Sequence, residues 1–327
     1  MNQKGYVMTG MSFLLIIPIF ILFMVLIDIN HSNTESKSLV IKSESTLQIS
    51  RDLESNLPRV GRQVLKEEAY EVIKSKKPLI DSKKVLKENI QLKMDKIAQD
   101  YNKNGANVTC TIRFLKESED PFLIEINSNI VIVKDNVVHK QFLDQNISIN
   151  DPKDPLPDPM PFVKCEKYGG VTINGSRICY GHSIVSYLES RGETNVQVYE
   201  NATSPLFINR CPYDPFKSHG DTKTLNTLKN CIDNGYFHES NDGACYLCRL
   251  EGKSTCYHQG IETFIIPAPQ YNTSFANAPC SVDHVIFADN SSTIYPGGNL
   301  QYYIDGLITF QLFLDDSHRK KYGLPPI

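Results

Sequence analysis

The sequence predicts an α+β protein: an N-terminal transmembrane helix and helical stalk, an antiparallel β-meander, and a β-rich, disulfide-stapled C-terminal domain. Three observations predict this class: an uncharged run at residues 5 to 27, a change from helical to alternating hydrophobic period near residue 106, and eight cysteines between Cys165 and Cys280. The predicted parts are a transmembrane anchor at 1–29, stalk and meander at 30–150, a proline-rich linker at 151–161 and a cysteine-rich domain at 162–327.

The uncharged run is long enough to cross a membrane. At about 1.5 Å per residue its helix would cover about 34 Å, against about 30 Å for a hydrocarbon core. A secretory leader has a shorter apolar core and a small-residue cleavage site, whereas this run ends in Ile27-Asp28-Ile29-Asn30. We therefore expect residues 6 to 27 to stay in the membrane in contact with lipid. Lys4, before the span, favours a cytoplasmic N-terminus.

The chain after the span carries two signals of an extracellular location. Dense cysteine is typical of disulfides in an oxidising compartment. Asn-x-Ser/Thr sequons, which accept N-linked glycans in exported proteins, occur at seven positions. They begin at Asn30, Asn107, Asn146, Asn174, Asn201, Asn272 and Asn290. The sequence therefore predicts a single-pass glycoprotein of the cell membrane with its bulk outside.

Lys4, Gly5 and Tyr6, followed directly by the apolar span, resemble the signal of type IV prepilins. In that family a dedicated peptidase cuts after the glycine, and the apolar helix becomes the stalk of an assembly. The resemblance implies cleavage between Gly5 and Tyr6, self-assembly or pilus-type partners, and an archaeal cell surface. A plain signal anchor is the other interpretation of the same residues.

Residues 30 to 104 have the apolar spacing of two amphipathic helices separated at Lys77-Pro78. Pro58 either kinks the first helix or begins it. The apolar stripe of the first helix consists of Leu53, Leu57, Val60 and Val64, and that of the second of Leu86, Ile90, Met94, Ile97 and Tyr101. Neither stripe persists over three or four heptads, so we expect packing on the protein's own sheet rather than a coiled coil.

From Ala106 the apolar period is two, which predicts strands joined by short turns at Ser128-Asn129 and Asp135-Asn136. In the segment NVTCTIRF this pattern places Val108, Cys110, Ile112 and Phe114 on the buried face. Cys110, the odd cysteine of nine, is therefore interpreted as a buried apolar thiol.

The C-terminal domain is predicted to be mixed, with β-structure predominating. Asn174-Gly175, in the segment VTINGSRICY, favours a type I′ hairpin turn. Helices are predicted at residues 183 to 191 and 221 to 234, and strands at 261 to 266, 281 to 287 and 307 to 314.

The cysteines of this domain have two interpretations. The preferred one is four disulfides, with Cys165–Cys179 and Cys211–Cys231 as neighbour pairs, although eight cysteines allow 105 connectivities. The eight are Cys165, Cys179, Cys211, Cys231, Cys245, Cys248, Cys256 and Cys280. The alternative is a tetrahedral zinc site made by Cys245, Cys248, Cys256 and His258. A redox dithiol at Cys245 and Cys248 lacks a thioredoxin-like context.

Other chemistry has little support in the sequence. His182, Asp283 and His284 are candidate hydrolase parts, but no Gly-x-Ser-x-Gly elbow accompanies them, so no catalytic residue is assigned. The sequence contains no phosphate-binding loop motif, so no nucleotide site is predicted. The net charge of −3, without a basic face, argues against nucleic-acid binding.

Three function classes follow from these patterns. The first is a non-enzymatic, membrane-anchored surface protein with a structural, adhesive or pilus-like role and no cofactor. The second is an anchored extracellular hydrolase or metalloenzyme that uses the Cys/His cluster and zinc. The third is a carbohydrate-binding module, for which 16 tyrosines but no tryptophan are available.

Overall fold

The helical part of the protein consists of two long helices, α1 (Gln3–Ser75) and α2 (Ser82–Lys103). The structure, a computed structural model, describes residues 3–194, 196–213, 230–267, 279–288, 300–304, 307–312, 318 and 322. Among these residues, Met1–Ser55, Asp95–Cys110 and Asn129–Gln141 contribute to one compact unit, and Asn56–Met94, Thr111–Ser128 and Phe142–Ile327 to a second.

Helix α1 joins the predicted anchor to the first predicted amphipathic helix without a break. Pro58 lies inside α1, so the alternative in which it begins a helix is wrong. The described side chains from Ile16 to Ile29 are all exposed. One helix near the N-terminus is thus long and apolar enough to cross a membrane, as the sequence predicted.

The predicted apolar stripes pack on the protein's own sheet, as expected. Leu57, Val64 and Ile90 are fully buried. A Cβ atom added at Gly61 would lie 2.3 Å from Ile147 Cδ1 and 3.8 Å from Ile90 Cδ1, so the surface of α1 at Gly61 packs closely on both side chains. Helices α1 and α2 and the third strand of the meander therefore share one core.

The predicted meander is confirmed as a three-stranded sheet in chain order. The turn predicted at Ser128-Asn129 is wrong, because both residues lie inside the second strand. Its strands are β1 (Asn107–Glu117), β2 (Leu123–Lys134) and β3 (Val137–Ser148). Cys110 is buried, as predicted, but Phe114 is 42% exposed and Leu115 is buried in its place. The prediction for Phe114 is wrong because two successive exposed residues, Arg113 and Phe114, shift the alternation by one position.

The C-terminal domain alternates short helices and strands. Its helices are α3 (Met160–Lys164), α4 (Ser183–Ser190), α5 (Tyr246–Leu250) and α6 (Asp283–Ile286), with 3₁₀ turns at Glu166–Tyr168 and Val196–Tyr199. Its strands are β4 (Thr172–Asn174), β5 (Arg177–Cys179), β6 (Thr203–Pro205), β7 (Phe237–Ser240), β8 (Gly260–Ile265), β9 (Pro279–Val282), β10 (Leu300–Ile304) and β11 (Leu307–Leu312).

These strands form two sheets, ordered β4-β5-β6 and β10-β11-β9-β8-β7. The larger sheet is antiparallel except where β11 runs parallel to β9. The predicted hairpin is confirmed, but Asn174 pairs with Arg177 and the turn consists of Gly175 and Ser176. Of these residues only Gly175 has a positive φ, +60, so the predicted type I′ turn at Asn174-Gly175 is wrong. The structure also confirms the helix predicted at 183 to 191, which ends at Ser190, and the strand predicted at 261 to 266, which begins at Gly260. Of the predicted strand 307–314, residues 307 to 312 are confirmed and the last two lie outside the described residues.

The structure shortens one predicted strand and describes only the end of one predicted helix. The strand predicted at 281 to 287 is wrong beyond Val282, because Asp283 begins α6 and its Oδ1 accepts the His284 backbone N–H at 2.7 Å. Of the helix predicted at 221 to 234, residues 230 to 234 are helical and the remainder lies outside the described residues.

The C-terminal half of the predicted proline-rich linker packs against the C-terminal domain. Leu156 and Met160 are fully buried, and Pro157 forms a β-bridge with Phe207. Asp158 is also buried, and the Arg249 guanidinium binds it through two hydrogen bonds, Nε to Oδ1 at 2.9 Å and Nη2 to Oδ2 at 2.5 Å. A buried carboxylate requires such a partner.

Candidate metal centre

Helix α5 and the turn after it bring three cysteines together. Cys245 is the N-cap of α5, and Cys248 lies one turn later on the same side of the helix. Gly252, at φ +70, ends the helix in a left-handed conformation that disfavours other residues. The Lys253 N–H donates to the Cys248 carbonyl at 3.0 Å, so the chain turns back and carries Cys256 towards the first two cysteines.

Two glycines allow the chain to close around this cluster. A Cβ atom at Gly260 would lie 2.1 Å from the Gly243 carbonyl oxygen, and one at Gly243 would lie 2.4 Å from the Ile261 carbonyl oxygen. The Ile261 N–H donates to the Ala244 carbonyl at 3.2 Å. Gly243 and Ala244, just before Cys245, are therefore in backbone contact with the first residues of β8, which holds Cys245 near His258.

Cys245, Cys248, Cys256 and His258 place their four donor atoms within 4.8 Å of one another. His258 Nδ1 lies 3.7 Å from Cys245 Sγ and 3.8 Å from Cys248 Sγ. In a tetrahedral zinc site, sulfur at about 2.3 Å and nitrogen at about 2.0 Å from the metal are about 3.6 Å apart. The residues therefore fit a Cys₃His zinc site at nearly its final dimensions.

Glu117, the last residue of β1, lies beside both the imidazole and Cys245, whose Sγ is 4.0 Å from Glu117 Oε1. Its Oε1 lies 3.5 Å from His258 Nε2, and its Oε2 accepts a 2.8 Å contact from Lys83 Nζ. A histidine that binds a metal usually donates its second ring N–H to a carboxylate, which fixes the tautomer and raises the basicity of the ligand nitrogen. Glu117 is placed to do this for His258 Nδ1, and Lys83 holds the carboxylate in position.

The three thiols differ in acidity. Hydrogen bonds from the thiols of Cys245 and Cys248 lower the pKa of Cys256, and the Cys245 backbone N–H adds a contact to Cys256 Sγ at 3.2 Å. The pKa of Cys245 is raised by its hydrogen bonds to Cys248 and Cys256. Cys256 is therefore the first thiolate of the set, and a thiolate is the form that binds metal.

The structure brings some of the other predicted cysteines together, but no disulfide bond is formed among the described cysteine side chains. Cys211 Sγ and Cys231 Sγ lie 3.1 Å apart, longer than the roughly 2.05 Å of a disulfide. Cys165 and Cys179 are not joined, and burial raises the pKa of Cys165 to about 12. The side chain of Cys280 lies outside the described residues. The disulfide-stapled domain is thus not confirmed.

The three hydrolase candidates do not form one constellation. His182 is half-exposed and its Nδ1 lies 2.5 Å from Glu200 Oε2. Asp283 and His284 are buried instead, and Arg249 Nη2 donates to Asp283 Oδ2 at 2.6 Å. Arg249 thus holds Asp158 and Asp283 together in the interior, and Asp283 has a structural partner rather than a catalytic one.

Sequence reasoning missed two residues that the structure places beside this centre. Glu117 ends a predicted strand, and Arg249 follows Cys248 in an otherwise apolar helix. An arginine between apolar residues in a buried helix was the only local signal, because its acidic partners lie 91 and 34 positions away.

The chain matches no family model, no curated protein and no solved structure. The resemblance to type IV prepilins therefore remains a prediction from the N-terminal segment.

Proposed function

We propose that this chain is a single-pass membrane protein with a non-enzymatic, structural role, which holds a zinc-containing domain at the cell surface. The observation that carries this proposal is the closed ligand set of Cys245, Cys248, Cys256 and His258. Four protein ligands fill a tetrahedron and leave no position for a substrate, as in structural zinc sites, whereas catalytic sites keep one position open.

The anchoring part of the proposal is supported by helix α1. Side chains such as Phe20 and Phe23 are 64% and 60% exposed, while Leu57 and Val64 of the same helix are fully buried. Exposed apolar residues at this density are stable in lipid and unstable in water. One helix thus supplies both a membrane span and a core surface of the folded unit.

An extracellular location is supported by the exposure of the sequons. The five sequon asparagines whose side chains the structure describes, at positions 30, 107, 146, 174 and 201, are all exposed. Asn272 and Asn290 lie outside the described residues. An accessible asparagine is what glycan transfer requires, so the proposed protein is a glycoprotein with a cytoplasmic N-terminus.

Assembly through α1 is the proposed role of the anchor. In the prepilin interpretation, cleavage between Gly5 and Tyr6 would release a helix that packs against copies of itself or pilus-type partners. Without cleavage, the same helix serves as a plain signal anchor.

We expect protease added to intact cells to degrade nearly all of the chain after residue 30, while alkaline washing leaves the full-length protein in the membrane. Intact-mass analysis of the same material identifies the first residue of the mature chain, which is Tyr6 if the peptidase cleaves after Gly5. A protein protected from protease, or one released into the medium, would overturn the anchored and outward topology.

A further inference from the structure

A second set of donor atoms converges inside the C-terminal domain, separate from the cysteine cluster. His284 Nε2 lies 2.8 Å from Glu262 Oε2, and His318 Nε2 lies 3.4 Å from the same oxygen. The two imidazole Nε2 atoms are 3.2 Å apart. All three side chains are at most 3% exposed, so these contacts form away from bulk water.

Neighbouring groups hold this arrangement in place. Glu262 lies on β8, and its second oxygen accepts the Tyr322 hydroxyl at 2.5 Å, while Ser240 Oγ donates to Oε2 at 2.7 Å. His284 lies on α6, whose first residue, Asp283, is fixed by Arg249. The carboxylate and at least one imidazole are therefore oriented by contacts that need no metal.

A shared proton accounts for only part of this geometry. One hydrogen can bridge two of the three atoms, but here two imidazole nitrogens and one carboxylate oxygen all face a common point. A cation at that point interacts with all three lone pairs. Ligand bonds of about 2.1 Å give ligand separations of about 3.0 Å in octahedral and about 3.4 Å in tetrahedral geometry, close to the three distances observed.

We propose that Glu262, His284 and His318 bind a second divalent transition-metal ion of the class that prefers imidazole and carboxylate, such as Zn²⁺ or Fe²⁺. Unlike the cysteine site, this one supplies three protein ligands and no sulfur. Three ligands leave at least one coordination position for water or a small ligand, so this site differs from the closed Cys₃His set. The Tyr322 hydroxyl, bound to the far carboxylate oxygen, is an outer contact of the kind that orients such ligands.

Cobalt distinguishes the two sites by their ligands, because only thiolate-bound Co²⁺ gives sulfur-to-metal charge-transfer absorption. We expect the full-length chain in detergent, dialysed against excess Co²⁺ and then freed of unbound metal, to retain two equivalents. Charge-transfer absorption should account for one equivalent only, and Cys211→Ser, which removes a thiol from the further donor set of Cys211, Cys231 and His238, should leave both values unchanged. His284→Gln and His318→Gln should each retain one equivalent with the charge-transfer band unchanged.

His139→Gln is the matched control, since His139 lies on β3 outside both donor sets, and it should retain two equivalents. A wild-type chain that binds one cobalt, or glutamine variants that still bind two, would overturn the proposal and leave a proton-sharing network. If a variant loses both ions by unfolding, the number of cobalt ions bound by the wild-type chain tests the proposal instead. A second cobalt equivalent without additional charge-transfer absorption supports the site, and the absence of that equivalent refutes it.

Discussion

Replacing Cys248 by serine should remove zinc from the Cys₃His site and lower the melting temperature of the C-terminal domain. Structural zinc contributes about 10 to 16 kcal/mol of apparent binding free energy in zinc-finger peptides, so the loss of one ligand in four should cost several kcal/mol. We expect a chelator to lower the melting temperature of the wild type by more than that of the variant, because the variant has already lost the zinc of the cysteine site. Metal analysis and thermal melting of the full-length chain measure both effects. Cys179→Ser, outside the site, should keep its zinc.

A graded effect is expected at Glu117, which contacts the ligand but not the metal. Glu117→Gln should weaken zinc binding by about 10- to 100-fold, the usual effect of losing an outer carboxylate, while the fold persists. Glu125→Gln is the matched control, because among the described residues Glu125 forms an ion pair with Lys116, at 2.7 Å, away from the cysteine cluster. Competition with a zinc-binding dye gives the affinities. Equal zinc affinities for the two variants would show that the Glu117 contact to His258 is incidental.

The second large effect is expected at Arg249. Arg249→Met leaves Asp158 and Asp283 buried without their common cation, and breaking a buried ion pair in this way typically costs about 3 to 5 kcal/mol. Urea unfolding of the full-length chain, followed by tyrosine fluorescence, measures the free energy. Adding Asp158→Asn and Asp283→Asn to the variant should recover part of the loss, because the uncompensated charges are then removed.

Lys66→Met is the control for this prediction. Lys66 pairs with Asp154 at 2.5 Å, but both side chains are more than a third exposed, so water screens the pair. Such a surface pair contributes about 0 to 1 kcal/mol. If Arg249→Met destabilised the protein no more than Lys66→Met, the buried charge cluster would not be an organising feature of the domain.

Local patterns predicted most of the N-terminal half of the fold. Three features depend only on residues a few positions apart, so the sequence displays them directly. They are the span at residues 5 to 27, the apolar stripes on both long helices and the alternation of the meander. The failure at Phe114 came from one shift in strand alternation, and the failure at 283 to 287 from a short helix that begins at Asp283. Neither feature follows from the hydrophobic period of the segment.

The metal centre was predictable only in part. The spacing of Cys245, Cys248, Cys256 and His258 signalled zinc, but the same cysteines also suit disulfides, and spacing alone does not separate the two. Their common approach depends on the contact between Gly243 and Gly260. Glu262, His284 and His318 are separated by 22 and 34 positions, so no local motif contains them.

Zinc and disulfide chemistry make opposite demands on the same sulfur atoms. A thiolate bound to zinc is shielded from oxidation and gives a free thiol when metal is removed, whereas a disulfide gives none without reductant. The geometry around His258, with Glu117 on its far nitrogen, is explained by the first chemistry and has no role in the second.

Zinc and thiol analysis of the full-length chain, purified in detergent without reductant, chelator or added metal, therefore tests the structural zinc site most directly. We expect the wild-type chain to hold one zinc equivalent more than Cys248→Ser, and we expect its Cys245, Cys248 and Cys256 to be alkylated after denaturation in chelator. A chain without that zinc, in which these three cysteines appear in disulfide-linked peptides, would contradict it.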